Sequence, residues 1–91
     1  MATSPTPEIT MSGPIARAVA RAAAEFQSAG HGAIERFEVI VATDGATCEV
    51  IFVPEPDPGA SIRGGQSSAG REMHCWISIA DGELLRSSFA R

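Results

Sequence analysis

The chain has no lysine and no tyrosine, one tryptophan, two cysteines, and no apolar run near the length of a membrane span. Each shortage excludes something. All seven basic residues are arginine, set against eleven acids for a formal net charge of −4. A surface without basic excess lacks the electrostatic footprint of nucleic-acid binding and does not suit anionic membranes. A membrane-crossing helix needs about 20 consecutive apolar residues. The opening MATSPTPEITMSGP has neither the basic start nor the apolar stretch of an export signal. These features predict a cytoplasmic protein whose Cys48 and Cys75 are reduced thiols.

What is present is the composition of an ordinary globular chain, 44% hydrophobic and 20% charged over 91 residues. That length predicts one domain with one core, over residues 12–91, behind a disordered tail at 1–11 that carries Pro5 and Pro7. A helix is expected from Pro14 to Ala29. Ser12 or Gly13 caps it, Pro14 suits its first turn, and Gly30 ends it. Ile15, Val19, Ala22 and Phe26 recur at three- and four-residue spacing, so one apolar stripe faces the core.

Four strand-like runs follow, in two pairs, each pair around an Asp-Gly corner that reads as a two-residue hairpin turn. Counting outward from Asp44-Gly45 sets Val41 against Cys48, Val39 against Val50 and Phe37 against Phe52, an all-apolar face for the helix. The same count from Asp81-Gly82 sets Ile79 against Leu84 and Ile77 against Arg86. It leaves Ser78 with Leu85, Trp76 with Ser87 and His74 with Phe89 on the opposite face. Between the pairs, residues 54–70 are rich in Pro and Gly and read as a flexible loop. The expected fold is α+β, one N-terminal helix on a four-stranded antiparallel sheet in the order 1-2-3-4. Its core would be Ile15, Val19 and Phe26 against Phe37, Val39, Val50, Phe52 and Ile77.

No residue pattern announces a reaction. His31, Cys48, His74 and Cys75 are metal-ligand types, but their spacing is not that of a metal site. His74 and Cys75 are strand neighbours and leave opposite faces, so they neither close on one ion nor form a nucleophile–base pair. A Cys48–Cys75 bridge is not expected either, because the strands place them too far apart along the ladder. No catalytic residue, metal or cofactor is therefore assigned. SIRGGQSSAGR offers Gly-rich backbone with Arg63 and Arg71, which could touch an anion or ligand, without the Lys-Ser/Thr pair of a phosphate-binding loop.

The feature with functional weight is the second face of the sheet. Trp76, Leu85, Phe89, Ile40 and Ile51, edged by His74, would form an apolar patch with a polar rim, the composition of a partner-binding surface. The expected partner is another protein or a second copy of the chain. Two other outcomes compete with this. The N-terminal segment, through Ile9 and Met11, could fold over the patch. Alternatively, the function could be small-ligand binding or catalysis in a helix–sheet pocket with the Gly/Arg loop.

The Ala-rich helix ending in Gly, CEVIFVP, the Gly64-Gly65 loop, MHCWISI and ADGELL together resemble a small bacterial family. It is that of cystatin-like domains of the nuclear-transport-factor-like immunity-protein type, and the resemblance spans most of residues 14–86. It implies a cystatin-like helix in a curved antiparallel sheet and a non-catalytic protein that binds and neutralises a toxin. It brings no catalytic residue with it.

Overall fold

A computed structural model of the protein describes residues 7–30, 32–57 and 66–89, with Gln66 and Ser67 described by backbone alone. Helix α1 spans Gly13–Ala29. The Ser12 hydroxyl accepts from the Ile15 N–H at 3.4 Å, and Pro14 sits in the first turn, where its missing donor leaves nothing unpaired. The helix stops at Gly30, whose left-handed φ of 65° lets its N–H donate to Gln27 O. A short 3₁₀ turn at Ile34–Arg36 leads into β1 (Phe37–Thr43), followed by β2 (Thr47–Pro54). Two two-residue strands, β3 (Gln66–Ser67) and β4 (Gly70–Arg71), form a separate small ribbon. Then come β5 (Met73–Ser78) and β6 (Leu84–Phe89).

The main sheet is antiparallel throughout, in the order β1-β2-β5-β6, with α1 packed on β5 and β2. This is the expected α+β fold, one helix on a four-stranded open sheet. The core is Ala18, Ala22 and Phe26 of the helix over Cys48, Val50 and Phe52 of β2 and Met73, Cys75 and Ile77 of β5. The Phe26 ring meets Phe37 edge-on and Phe52 at a tilt, each with 4.8 Å between centroids. The stripe is rotated slightly from the expected one. Alanines 18 and 22 make the closest approach, so Ile15 and Val19 fall at its margin and Val39 stays 42% exposed.

Both corners differ from the two-residue Asp-Gly turns read from the sequence. In the first, Val41 pairs with Val50, Val39 with Phe52 and Thr43 with Cys48, so the turn residues are Gly45 and Ala46. Gly45 takes φ 96° at the first central position, the place a type II′ turn reserves for glycine. The Asp44 carboxylate accepts from the Ala46 and Thr47 N–H groups at 3.0 and 2.8 Å, which holds its pKa below the ordinary carboxylate value. The slip is two residues, and strand faces repeat every two, so every side chain keeps its expected side.

The second corner slips by two, and a bulge then takes one residue back. Ser78 N–H donates to Glu83 O at 2.8 Å, leaving a four-residue connection, Ile79 to Gly82. A bulge follows at Trp76/Ile77, where Ile77 pairs with Leu84 but Trp76 pairs with Arg86. Cys75 now faces Ser87, His74 faces Ser88, and Met73 faces Phe89. Phe89 therefore belongs to the helix side, not beside Trp76, and Leu85 is the extra residue of the bulge, 57% exposed. The helix stabilises this longer turn directly. Arg17 donates to Ile79 O at 3.0 Å, and a Cβ on Gly82 (φ 73°) would lie 2.6 Å from the Arg17 Nε.

Because Phe26 touches both the β1 and β2 aromatics and is fully buried, Phe26→Ala should cost about 3–5 kcal/mol of stability. The shift of the urea midpoint measures this.

Candidate functional site

Alternation along the strands builds the open face row by row. In one row Ile40, Ile51, His74 and Ser88 are direct neighbours across the four strands; in the next, Ala42, Glu49, Trp76 and Arg86. No described helix or strand lies over these rows, since α1 covers the opposite face. The described N-terminal residues, Ile9 to Ser12, do not cover it either. They line a groove on the helix side with Ile15, Val19, Val39 and Val41.

Trp76 sits inside a stack. The Arg86 guanidinium carbon lies 3.9 Å from its ring centroid, a close cation–π contact, and the His74 ring stacks on it at 5.8 Å and 21°. His74 is in turn held at both nitrogens, Nδ1 2.7 Å from Glu49 and Nε2 2.6 Å from Glu72. Ionised carboxylates only accept hydrogen bonds, so satisfying both contacts requires an N–H at each nitrogen, which is the imidazolium. Partial burial pulls the His74 pKa down. The hydrogen bonds His74 donates to the two glutamates, with their charges, outweigh that and raise it above the ordinary 6.5.

The structure thus brings together four of the expected surface residues, Ile40, Ile51, His74 and Trp76, and moves Phe89 to the helix side, while Leu85 is the unpaired bulge residue next to Arg86. Ile40 is 47% exposed, whereas Trp76 is partly covered by its own neighbours. Of the two loop arginines, Arg71 lies with its guanidinium 5.0 Å from the Phe89 ring centroid, and Arg63 lies outside the described residues, as does His31. The described ends of the loop are tied together. Arg36 bonds Glu55 at 2.9 Å and Ser68 at 3.3 Å, and Asp57 accepts from the Ser68 N–H at 3.0 Å.

Two participants in the stack were not assigned from sequence. Glu72 was legible, since it stands two residues before His74 on the same face of an extended run. Arg86 was hidden by the bulge, which moves it from the helix face to the Trp76 row.

Neither cysteine offers a nucleophile. Both are free and buried, and burial raises both thiol pKa values, Cys75 to about 11. Cys48 pairs with Ile77 and Cys75 with Val50, so the two are staggered by two residues rather than opposed. No group of described residues could hold a metal ion, and no described helix is long and apolar enough to cross a membrane. The groove beside α1 is about 600 Å³ and apolar, and among the described residues no charged side chain lines it. No family model, no curated protein and no solved structure matches the chain.

A group whose folded pKa is raised stabilises the fold below its unfolded pKa and loses that contribution as pH climbs through the folded value. His74→Gln should therefore destabilise the protein by about 1 kcal/mol at pH near 5.5. The deficit should shrink as the pH is raised past the elevated His74 value. Paired urea melts at acid and alkaline pH read the difference directly.

Proposed function

We propose that the chain is a non-catalytic protein-binding domain that docks through the open face of its sheet. The observation that carries this is the row Ile40–Ile51 beside Trp76 on a face that no described element covers. Binding is favoured when the presenting groups are already held, because little side-chain freedom is then lost on contact. Here the ladder fixes the backbone, and the Arg86–Trp76–His74 stack fixes the largest side chain. Tryptophan and arginine are also the side chains that most often dominate binding energy at such surfaces. The acids Glu49 and Glu72 are engaged with His74 and lie on the face as a polar margin to the isoleucines.

Neutralisation of a toxin is a narrower form of this reading and rests on the resemblance to immunity-type domains alone. A second reading, small-ligand binding, has one observation in its favour, the apolar groove beside α1. Among the described residues that groove has no charged side chain to orient a substrate or move a proton, so its lining favours a hydrophobic guest over a reaction.

Capture of partners on immobilised protein, followed by titration of the purified partner, tests the main reading. Ile51→Arg and Trp76→Ala, each checked for folding by circular dichroism, should weaken the complex about thirtyfold, the equivalent of a 2 kcal/mol hot spot. Arg21→Ser, on α1 at the opposite face of the sheet, should leave it unchanged. A partner that binds both folded variants as tightly as the wild type would falsify docking through this face.

A further inference from the structure

The two edges of the sheet are built differently. On β6 the outer edge is broken by the bulge at Trp76/Ile77 and carries Arg86, Ser87 and Ser88. These are features by which native sheets discourage further pairing. β1 has none of them. Its seven residues, FEVIVAT, run in unbroken register against β2, with no lysine, proline or bulge and one charge, Glu38. Among the described residues no strand pairs with its other side.

Two hydrogen bonds fix which backbone groups face outward. Asp44 N–H donates to Thr47 O, and Glu55 N–H donates to Arg36 O. The even-numbered positions of this ladder are therefore the ones bonded to β2. By antiparallel alternation, Val39, Val41 and Thr43 turn their N–H and C=O groups to the free edge. The same strand is apolar on both faces. Val39 is 42% exposed on the helix side and Ile40 47% exposed on the open side.

We infer that β1 is the interface of a homodimer, in which two copies pair antiparallel, edge to edge, about a two-fold axis through Ile40. In that register Val39 of one copy forms a hydrogen-bonded pair with Val41 of the other, using the outward groups of both. Ile40 meets Ile40 in a non-hydrogen-bonded pair, where side chains approach most closely. Glu38, the only charge on the strand, falls opposite Ala42 and not opposite its own copy, so no like charges meet. A register centred on Glu38 would juxtapose two acids. The Ile40 register is centred on the strand, pairs Glu38 through Ala42 of each copy, and produces no such clash, which is why a second copy is the occupant. The interface is isologous and uses up both free edges, so assembly closes at two chains. On the helix side the floor formed by exposed Val39 and half-buried Val41, along the apolar groove with Ile9 and Met11, continues into the same residues of the second copy. On the other side, two open faces join into one eight-stranded surface. The pairing uses the edge, not the open face, and stands whether or not that face binds another protein.

Sedimentation equilibrium of the full chain, from micromolar to millimolar concentration, should give twice the monomer mass. Ile40→Lys and Ile40→Glu, at an exposed position, should each fold yet dissociate at least tenfold more readily, and an equimolar mixture of the two should recover the dimer. Ile40→Cys should form an intermolecular disulfide under mild oxidation much faster than Leu85→Cys, whereas Trp76→Ala should leave the mass unchanged. A wild type that stays monomeric throughout overturns the inference, whether β1 then meets another protein's strand or nothing. So does a dimer indifferent to charge at Ile40, or one whose Ile40→Cys form cross-links no faster than the Leu85→Cys control.

Discussion

One helix cannot cover four strands. An α-helix with its side chains is about 10–12 Å across, while four strands spaced about 4.8 Å apart extend about 15 Å from first axis to last. α1 settles over the two inner strands, β2 and β5, and brings Ala18 and Ala22 directly against them. The consequences run outward from that contact. β5 and β2 carry strict buried–partly exposed alternation, while β1 shows no fully buried residue at all. The margin of the helix, Ile15 and Val19, overhangs Val39 and Val41 without sealing them, which opens the apolar groove. The uncovered face and the bare edge both follow from the same shortage of covering chain.

Much of this arrangement was legible in the residues, for a reason of parity. Capping by Ser12 and Gly30, the three-and-four spacing of apolar residues and the alternation of the strands each depend on local chemistry, and each held. The first hairpin was misread by two residues because the Asp44 carboxylate, acting as acceptor for Ala46 and Thr47, moves the corner one position forward. A two-residue slip leaves faces intact, so the assignment of Ile40 and Ile51 to the open side survived it. The second corner also differs by two, and the bulge at Trp76/Ile77 takes one residue back, leaving beyond it the one-residue step that exchanges faces. The longer corner has a cause that is not local. Arg17, on the helix sixty-two residues away, reaches Ile79 O, and Gly82 leaves room for its side chain. No pattern within ISIADGELL foretells that contact or the bulge beyond it, and it is the bulge that carries Phe89 to the helix side.

The correction changes the character of the open face more than its membership. With Phe89 removed and Arg86 brought in, the tryptophan is no longer a bare ring awaiting cover. A guanidinium lies over it at 3.9 Å, an imidazolium stacks on it, and the imidazolium is held by Glu49 and Glu72. Such a network rigidifies the sheet only when every donor has its acceptor. A neutral His74 would leave one nitrogen without a proton to give, facing a carboxylate. The protonation state of one side chain is thereby tied to the order of the whole row.

A tryptophan held in this way also shifts where exposed apolar surface is concentrated. The large residues still open to water on the first half of the sheet are Val39 and Ile40, on opposite faces of the same strand, with Ile9 and Met11 nearby on the helix side. Apolar exposure on both faces of one strand is not economical for binding by a face, which would need only one of them. It is what an edge requires, because a strand added alongside extends both faces at once and gives each exposed side chain a lateral neighbour. The opposite edge also leaves Leu85 and Phe89 partly open, but its ladder is broken by the bulge and interrupted by an arginine and two serines. The asymmetry between β1 and β6 is thus a property of the sheet as a whole, and it distinguishes a surface left open for pairing from one merely left uncovered.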